Sequence, residues 1–128
     1  MQYEYFYGAQ AEQFSFYRIP KALFTEPNFR ELSTDAKVLY GILLDRMSLS
    51  LKNQWLDAQN KVYIIFTVDE IMDALNCANQ KATRLMVELE KRAGLIERKR
   101  QGLGRPNLIY VKNFAATIND KSCEKGDS

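Results

Sequence analysis

The sequence contains no histidine, only two cysteines and a single tryptophan in 128 residues. Without histidine the chain lacks the commonest general base, the Ser-His and Cys-His nucleophile pairs, and the histidine-containing zinc sites. Cys77 and Cys123 are too few for a metal cluster or a disulfide framework, so we expect two free thiols. These absences predict a protein that is not an enzyme and that uses no metal ion and no cofactor.

Long apolar segments are also missing. No run approaches the roughly 20 apolar residues that a membrane-spanning helix needs. The first five residues, MQYEY, have neither the basic nor the apolar region of a signal peptide. We therefore expect a cytoplasmic protein that does not interact with membranes. Its hydrophobic content of 46% is sufficient for one compact domain with a tail.

Two short amphipathic patterns occupy the middle of the chain. Thr67 and Glu70 have the spacing of a capping box, which predicts the start of a helix. The apolar residues of this helix recur with helical spacing at Val68, Ile71, Met72 and Leu75. The same spacing at Ala82, Leu85, Met86 and Leu89 predicts a second helix from about Asn79 to about Arg92. The few polar residues between the two helices predict the sharp crossing of a helix-turn-helix motif.

The second of these helices carries five polar residues away from its apolar stripe: Asn79, Gln80, Lys81, Thr83 and Arg84. Such side chains hydrogen-bond base edges and phosphates when a recognition helix enters the major groove of DNA. We predict base contacts for Gln80, Lys81 and Arg84. We expect Asn79 and Thr83 to position the helix on phosphates.

After Gly94 the pattern predicts two strands, over residues 95–101 and 107–112. Gly102, Gly104 and Pro106 lie between them and predict a turn, because glycine accepts positive φ and proline lacks a backbone donor. This hairpin is the candidate wing. Its predicted DNA-binding residues are Arg98, Lys99, Arg100, Gln101 and Arg105.

Charge is concentrated in this part of the chain. Residues 79–112 contain nine basic and three acidic side chains, a net charge of +6, although the whole chain has a net charge of only +2. The remainder therefore carries −4. A basic helix face and a basic hairpin are the electrostatic pattern of a nucleic-acid surface. The alternative is a solvated charged face, but Arg-Lys-Arg beside Gly-Leu-Gly-Arg is less typical of one.

Two further elements are predicted before the helix-turn-helix motif. A helix over residues 33–47, capped by Ser33 or Thr34, is predicted to be the buried scaffold. An apolar run at residues 61–66 predicts a short strand that pairs with the hairpin. The resulting prediction is an α+β fold of the winged helix-turn-helix type over residues 18–114.

The two ends of the chain have different compositions. Residues 1–17 form an aromatic N-terminal arm, for which we predict a dimer contact through Tyr3, Tyr5, Phe6 and Tyr7. The alternative is an arm that folds onto its own domain. Residues 115–128 lose hydrophobic periodicity and predict a flexible tail, or a linker to a C-terminal domain that this sequence does not contain.

Several longer motifs resemble the N-terminal domain of the replication initiator protein A family of Gram-positive plasmids. They are residues 16–24 (FYRIPKALF), 32–40 (LSTDAKVLY), 43–50 (LLDRMSLS), 52–53 (KN), 62–63 (VY), 94–102 (GLIERKRQG), 106–107 (PN) and 110–113 (YVKN). The chain is also similar to the N-terminal domain of a primosomal initiation protein. The resemblance implies a domain that binds repeated sites in double-stranded DNA at a plasmid origin and so initiates replication. It also implies a C-terminal domain that recruits host replication proteins.

Three functions are compatible with a winged helix of this kind. One is sequence-specific DNA binding at a replication origin, and the second is transcriptional repression by the same chemistry. The third is a protein–protein interaction module in which the basic hairpin meets an acidic partner. The polar tip of the second helix and the basic wing together favour DNA.

Overall fold

The computed structural model describes residues 2–8 and 13–115. Its helices are α1 (Ala22–Thr25), α2 (Thr34–Lys52), α3 (Val68–Leu75) and α4 (Asn79–Val87), and its strands are β1 (Ile96–Lys99) and β2 (Leu108–Val111). A 3-10 turn over Pro27–Phe29 precedes α2, and a π-helical turn over Glu88–Arg92 continues α4. The helices and the hairpin follow the predicted winged helix-turn-helix order. No described helix combines the length and the apolar character needed to cross a membrane.

Helix α2 begins as predicted but is longer than predicted. The Ser33 hydroxyl accepts a hydrogen bond from the Ala36 N–H at 3.2 Å, so Ser33 is the N-cap. The predicted end at Met47 is wrong, because the helix continues to Lys52. Residues 48–52 contain no glycine or proline to stop it, and Ser50 in this extension is only 1% exposed.

The helix-turn-helix signals were local and are confirmed. The Glu70 N–H donates to the Thr67 hydroxyl, and the Thr67 N–H donates to the Glu70 carboxylate, which is the complete capping box. Asn76 ends α3 in the left-handed conformation with φ of 52°. Helix α4 then starts at Asn79 and continues through the π-helical turn to Arg92, as expected.

The predicted strand at residues 61–66 is wrong. This segment forms only two isolated bridges, in which Val62 pairs with Leu56 and Ile64 pairs with Ile109. The segment therefore changes partner after two residues and cannot extend a ladder. Its apolar character reflects burial, since Ile64 is fully buried and Phe66 is 8% exposed. The expected pairing with the hairpin is limited to the two hydrogen bonds between Ile64 and Ile109.

The hairpin lies where the sequence predicted it, but its strands are shorter than the predicted 95–101 and 107–112. Strands β1 and β2 are antiparallel, with Ile96 opposite Val111 and Lys99 opposite Leu108. Residues 100–107 form the connecting loop. The hairpin packs on α2 through Tyr40, whose hydroxyl donates to the Lys112 carbonyl at 2.8 Å. Burial raises the pKa of Tyr40 to about 12.

The core surrounds α2 and joins all of these elements. Its completely or almost completely buried members are Leu23, Leu39, Leu43, Ile64, Ile71, Leu85, Leu89, Ile96 and Ile109. Gly41 lets the chain before α1 approach α2 closely, because a Cβ there would lie 3.0 Å from the Arg18 carbonyl oxygen. The helix pair and the hairpin are thus held on one scaffold.

Candidate nucleic-acid interface

The outward face of α4 is polar and exposed. Gln80, Thr83 and Arg84 are exposed, whereas Ala82 and Leu85 on the opposite side are fully buried. Among the described residues, no side chain caps the N-terminus of α4. The backbone N–H groups of its first turn can therefore donate to an anionic partner as well. This is the arrangement expected of a recognition helix that approaches DNA with its N-terminal half.

Three of the five predicted residues on α4 already have partners within the domain. Lys81 Nζ lies 2.6 Å from Asp35 Oδ2 on α2, so Lys81 is on the flank of α4 and not on the face that Gln80 and Arg84 share. The Thr83 hydroxyl lies at 3.5 Å from the Asn79 side-chain oxygen. Asn79 and Thr83 are both exposed and lie side by side along one edge of the helix.

A buried glutamate, which the sequence did not single out, holds the other end of this helix. Both carboxylate oxygens of Glu88 accept hydrogen bonds from Ser33, one from its backbone N–H at 2.9 Å and one from its hydroxyl at 2.9 Å. Glu88 is only 8% exposed. Its side chain lies at the N-terminal end of α2, where the helix dipole interacts favourably with an acidic residue. The end of the recognition helix is therefore held on α2 by the buried Glu88, whereas Lys81 adds only a surface ion pair.

In the hairpin, the predicted DNA-binding residue Arg98 is paired with Glu90. Its guanidinium donates to Glu90 Oε1 at 2.7 and 2.9 Å, and its backbone N–H donates to Glu90 Oε2 at 3.1 Å. Burial acts to raise the pKa of Glu90, but these hydrogen bonds and the charge of Arg98 outweigh it and lower the pKa. Arg98 thus joins β1 to the π-helical turn and is occupied within the domain.

The other basic residues of the wing are available. Lys99, Arg100 and Arg105 are exposed, and within the described residues none of them has an ion-pair partner. Gln101 has a local partner, because its side-chain amide donates to the Pro106 carbonyl at 2.8 Å across the loop. This hydrogen bond braces the loop of the wing, and the contact of Gln101 with DNA stays a prediction.

A second carboxylate outside the predicted set fixes β2. Asp57 accepts hydrogen bonds from the backbone N–H groups of Gln59 and Lys61 at 2.8 Å, and from the Tyr110 hydroxyl at 3.0 Å. The hydrogen bond from Lys61 is the largest cause of a lowered pKa at Asp57. No sequence signal joins Asp57 to Tyr110, since 53 residues separate them.

The aromatic arm lies exposed on the described part of the chain. Tyr3 and Tyr5 are each 82% exposed, Tyr7 is 66% exposed and Phe6 is 60% exposed. Phe6 makes an edge contact with Phe14 at a centroid distance of 5.8 Å. The rings thus remain accessible to a partner.

Comparison with known proteins assigns the chain to a family. Residues 15–125 match the family described as "Replication initiator protein A (RepA) N-terminus". The chain belongs to this family. Its sequence is 33% identical over 103 residues to the "41 kDa protein" of Lactobacillus helveticus. The match covers 80% of the chain but only 28% of that relative.

Solved structures of this family have the same fold. The "N-Terminal domain of DNA binding protein" superposes with a TM-score of 0.72 at 35% identity and covers 99% of this chain and 98% of that chain. A structure described as "Structure of Rep-DNA complex" has a TM-score of 0.72 at 35% identity, with 98% of both chains covered. The "Structure of MDR initiator" has a TM-score of 0.71 at 39% identity and covers 98% of this chain and 99% of that chain. The predicted winged-helix fold and the initiator resemblance are confirmed.

Proposed function

We propose that this RepA N-terminal domain binds double-stranded DNA at repeated sites of a plasmid origin and so initiates plasmid replication. The observation that carries the proposal is the exposed polar face of α4 beside a wing whose Lys99, Arg100 and Arg105 have no ion-pair partner among the described residues. The domain acts by binding and not by catalysis. A similar protein has been solved as a Rep–DNA complex, which supports the same use of the fold here.

Helix α4 reads the major groove through Gln80 and Arg84, which are exposed on its outward face. Asn79 and Thr83 contact phosphates beside them. The sequence predicted a base contact for Lys81, and its pair with Asp35 favours a phosphate contact instead. Its pair with Asp35 leaves the two side chains 42% and 50% exposed, and such pairs contribute little stability. Lys81 can therefore exchange Asp35 for a phosphate at small cost.

The wing supplies mainly electrostatic affinity through Lys99, Arg100 and Arg105. Each phosphate contact displaces counterions, so this share of the affinity falls as the salt concentration rises. Arg98 and Gln101 act differently, because their side chains hold the hairpin and its loop in shape. The wing is thus presented to DNA in one conformation.

The domain acts as a homodimer, with the exposed aromatic arm as the contact between copies. Repeated sites and a single short recognition helix per copy favour pairing. The chain spans about 28% of the length of its Lactobacillus relative. In a longer protein of that kind, contacts with host replication proteins belong to the domains outside this sequence.

The test is a selection of binding sites from a pool of random duplexes by the full chain. We expect one enriched motif, and an affinity for it that falls steeply between low and moderate salt. Arg84→Ala should weaken binding to the selected duplex. Lys52→Ala is the matched control, because it removes an exposed cation at the far end of α2. A chain that enriches no motif, or whose affinity does not depend on salt, would overturn the proposed function.

A further inference from the structure

The tip of the wing carries one fully exposed apolar side chain. Leu103 has a relative exposure of 105%, the highest of the large hydrophobic residues in the described chain. All the other side chains in the loop over residues 100–107 are charged, amide, glycine or proline. Leu103 therefore contributes nothing to the core. Packing within the domain does not explain why this position is apolar.

The loop holds Leu103 at its apex by a defined turn. The Gly102 carbonyl accepts a hydrogen bond from the Arg105 N–H at 3.3 Å, which makes Leu103 the second residue of a four-residue turn. Gly104 follows with φ of +77°, the conformation that favours glycine at the third position. No atom of the described residues lies within 4 Å of a Cβ built on either glycine. Both glycines are thus required by the backbone and not by close packing.

The surroundings of Leu103 fit the minor groove of DNA. Arg100 and Arg105 flank it on the two arms of the loop, both exposed and without an ion-pair partner among the described residues. The rims of the minor groove are phosphates, which suit two arginines, whereas its walls are deoxyribose rings, which suit an apolar side chain. Leucine is also one of the residues that wedge between base pairs and partly unstack them.

We propose that Leu103 enters the minor groove as an apolar wedge, opens one base step and contributes to the choice of DNA site. This inference rests on the proposed function and adds a contribution to the DNA affinity that does not come from charge. Flexible pyrimidine–purine steps open at the lowest cost, so the wedge selects sequence without hydrogen-bonding a base. Its share of the affinity should not depend on salt.

The experiment uses the full chain and the duplex selected above, labelled with the fluorescent base 2-aminopurine at successive steps. We expect wild type to raise the fluorescence at one step, which reports unstacking. Leu103→Ala should lose this signal and bind roughly ten- to a hundredfold more weakly, the effect of one buried leucine, with an unchanged salt dependence. Leu103→Met keeps an apolar side chain of similar size and should retain the signal, whereas Leu103→Gln should lose it.

Arg105→Ala is the contrasting variant, because it should reduce the salt dependence while keeping the unstacking signal. The wedge is overturned if Leu103→Ala matches wild type in affinity and fluorescence, or if it only abolishes a self-association of the free protein. It is equally overturned if wild type binds the duplex without unstacking any step. A wild type that binds no duplex overturns the proposed function itself, which is a different result from the other three.

Discussion

At the scale of single residues, Glu88 is the side chain whose contacts most directly set the position of the recognition helix. It accepts two hydrogen bonds from Ser33, and Ser33 is itself the N-cap of α2. One carboxylate therefore joins the end of α4 to the beginning of the scaffold helix. A buried acceptor of this kind is costly to replace, because its donors would be left without a partner.

We predict that Glu88→Gln lowers the free energy of unfolding by about 1–3 kcal/mol, because the charged group that accepts both Ser33 hydrogen bonds is lost. The measurement is urea denaturation followed by circular dichroism. The matched control is Glu97→Gln, an exposed glutamate of β1 that should change stability by less than about 0.5 kcal/mol. Equal midpoints for the two variants would show that the contact with Ser33 does not stabilise the fold.

The ion pair between Glu90 and Arg98 predicts how stability depends on pH. The folded-state pKa of Glu90 is lowered from its ordinary value of 4.5. A lowered carboxyl pKa stabilises the fold above the unfolded-state value, and this stabilisation is lost as the pH falls through the folded-state value. Wild type should therefore lose stability below about pH 4.5. The free energy of unfolding of Glu90→Gln should fall less steeply below this pH, whereas that of Glu97→Gln should fall as in wild type. Parallel curves of stability against pH for wild type and Glu90→Gln would contradict this prediction.

At the scale of elements, the recognition helix and the wing should have different thermodynamic signatures. Arg84 on α4 is placed to read bases, so Arg84→Ala should cost about 1–3 kcal/mol on the selected site and relax selectivity at one base pair. Arg105 in the wing loop is placed for phosphate contact. Arg105→Ala should weaken binding to all sequences alike and reduce the slope of log affinity against log salt by roughly one unit.

Titrations of the two variants against selected and scrambled duplexes at several salt concentrations separate these effects. Lys52→Ala should behave as wild type throughout. An Arg84→Ala protein with unchanged selectivity would remove Arg84 from base readout. An unaltered salt slope in Arg105→Ala would remove the phosphate contact from the wing.

The sequence predicted those elements whose signals are local. The capping box at Thr67 and Glu70, the apolar spacing of α4 and the glycines of the wing loop each lie within a few residues of the structure they specify. The strand predicted at residues 61–66 was wrong because pairing depends on distant partners, and this segment meets Leu56 and Ile109 in turn. An apolar run indicates that a segment is buried. A loop held by isolated β-bridges can be buried as well as a strand can.

The difference between local signals and distant contacts also explains which features of the site the sequence could predict. Gln80, Thr83 and Arg84 lie where helical periodicity placed them, on the exposed face of α4. Lys81 and Arg98 carry charges whose partners, Asp35 and Glu90, are set by tertiary packing. Composition and spacing show how many charged residues are present, but not which residue each of them pairs with. The contact between Glu88 and Ser33 spans 55 residues and was beyond any local pattern.

At the scale of the whole molecule, positive charge is concentrated in one part of the domain. Residues 79–112 carry a net charge of +6, whereas the chain as a whole carries only +2. A low total charge limits non-specific repulsion between copies, while the basic side still attracts phosphates at long range. Two copies can therefore approach each other away from this side while both face DNA.

The aromatic arm provides the surface for such an approach. Tyr3, Tyr5 and Phe6 are 60–82% exposed, and large exposed aromatic rings are typical of the centres of protein interfaces. We predict that the chain forms a homodimer, alone or on its DNA, and that deletion of residues 1–8 weakens the dimer by roughly tenfold or more. Sedimentation velocity over a range of concentrations, with and without the selected duplex, measures both quantities.

Phe24→Ser is the control for this deletion, because Phe24 is an aromatic residue outside the arm that is 50% exposed. It should leave the dimer intact, since it removes an exposed ring without touching the arm. A monomer under every condition would contradict pairing itself, whereas a dimer that survives the deletion would contradict only the role of the arm. Because two-fold pairing places two recognition helices on one duplex, the deletion should also weaken binding to paired sites more than binding to a single site.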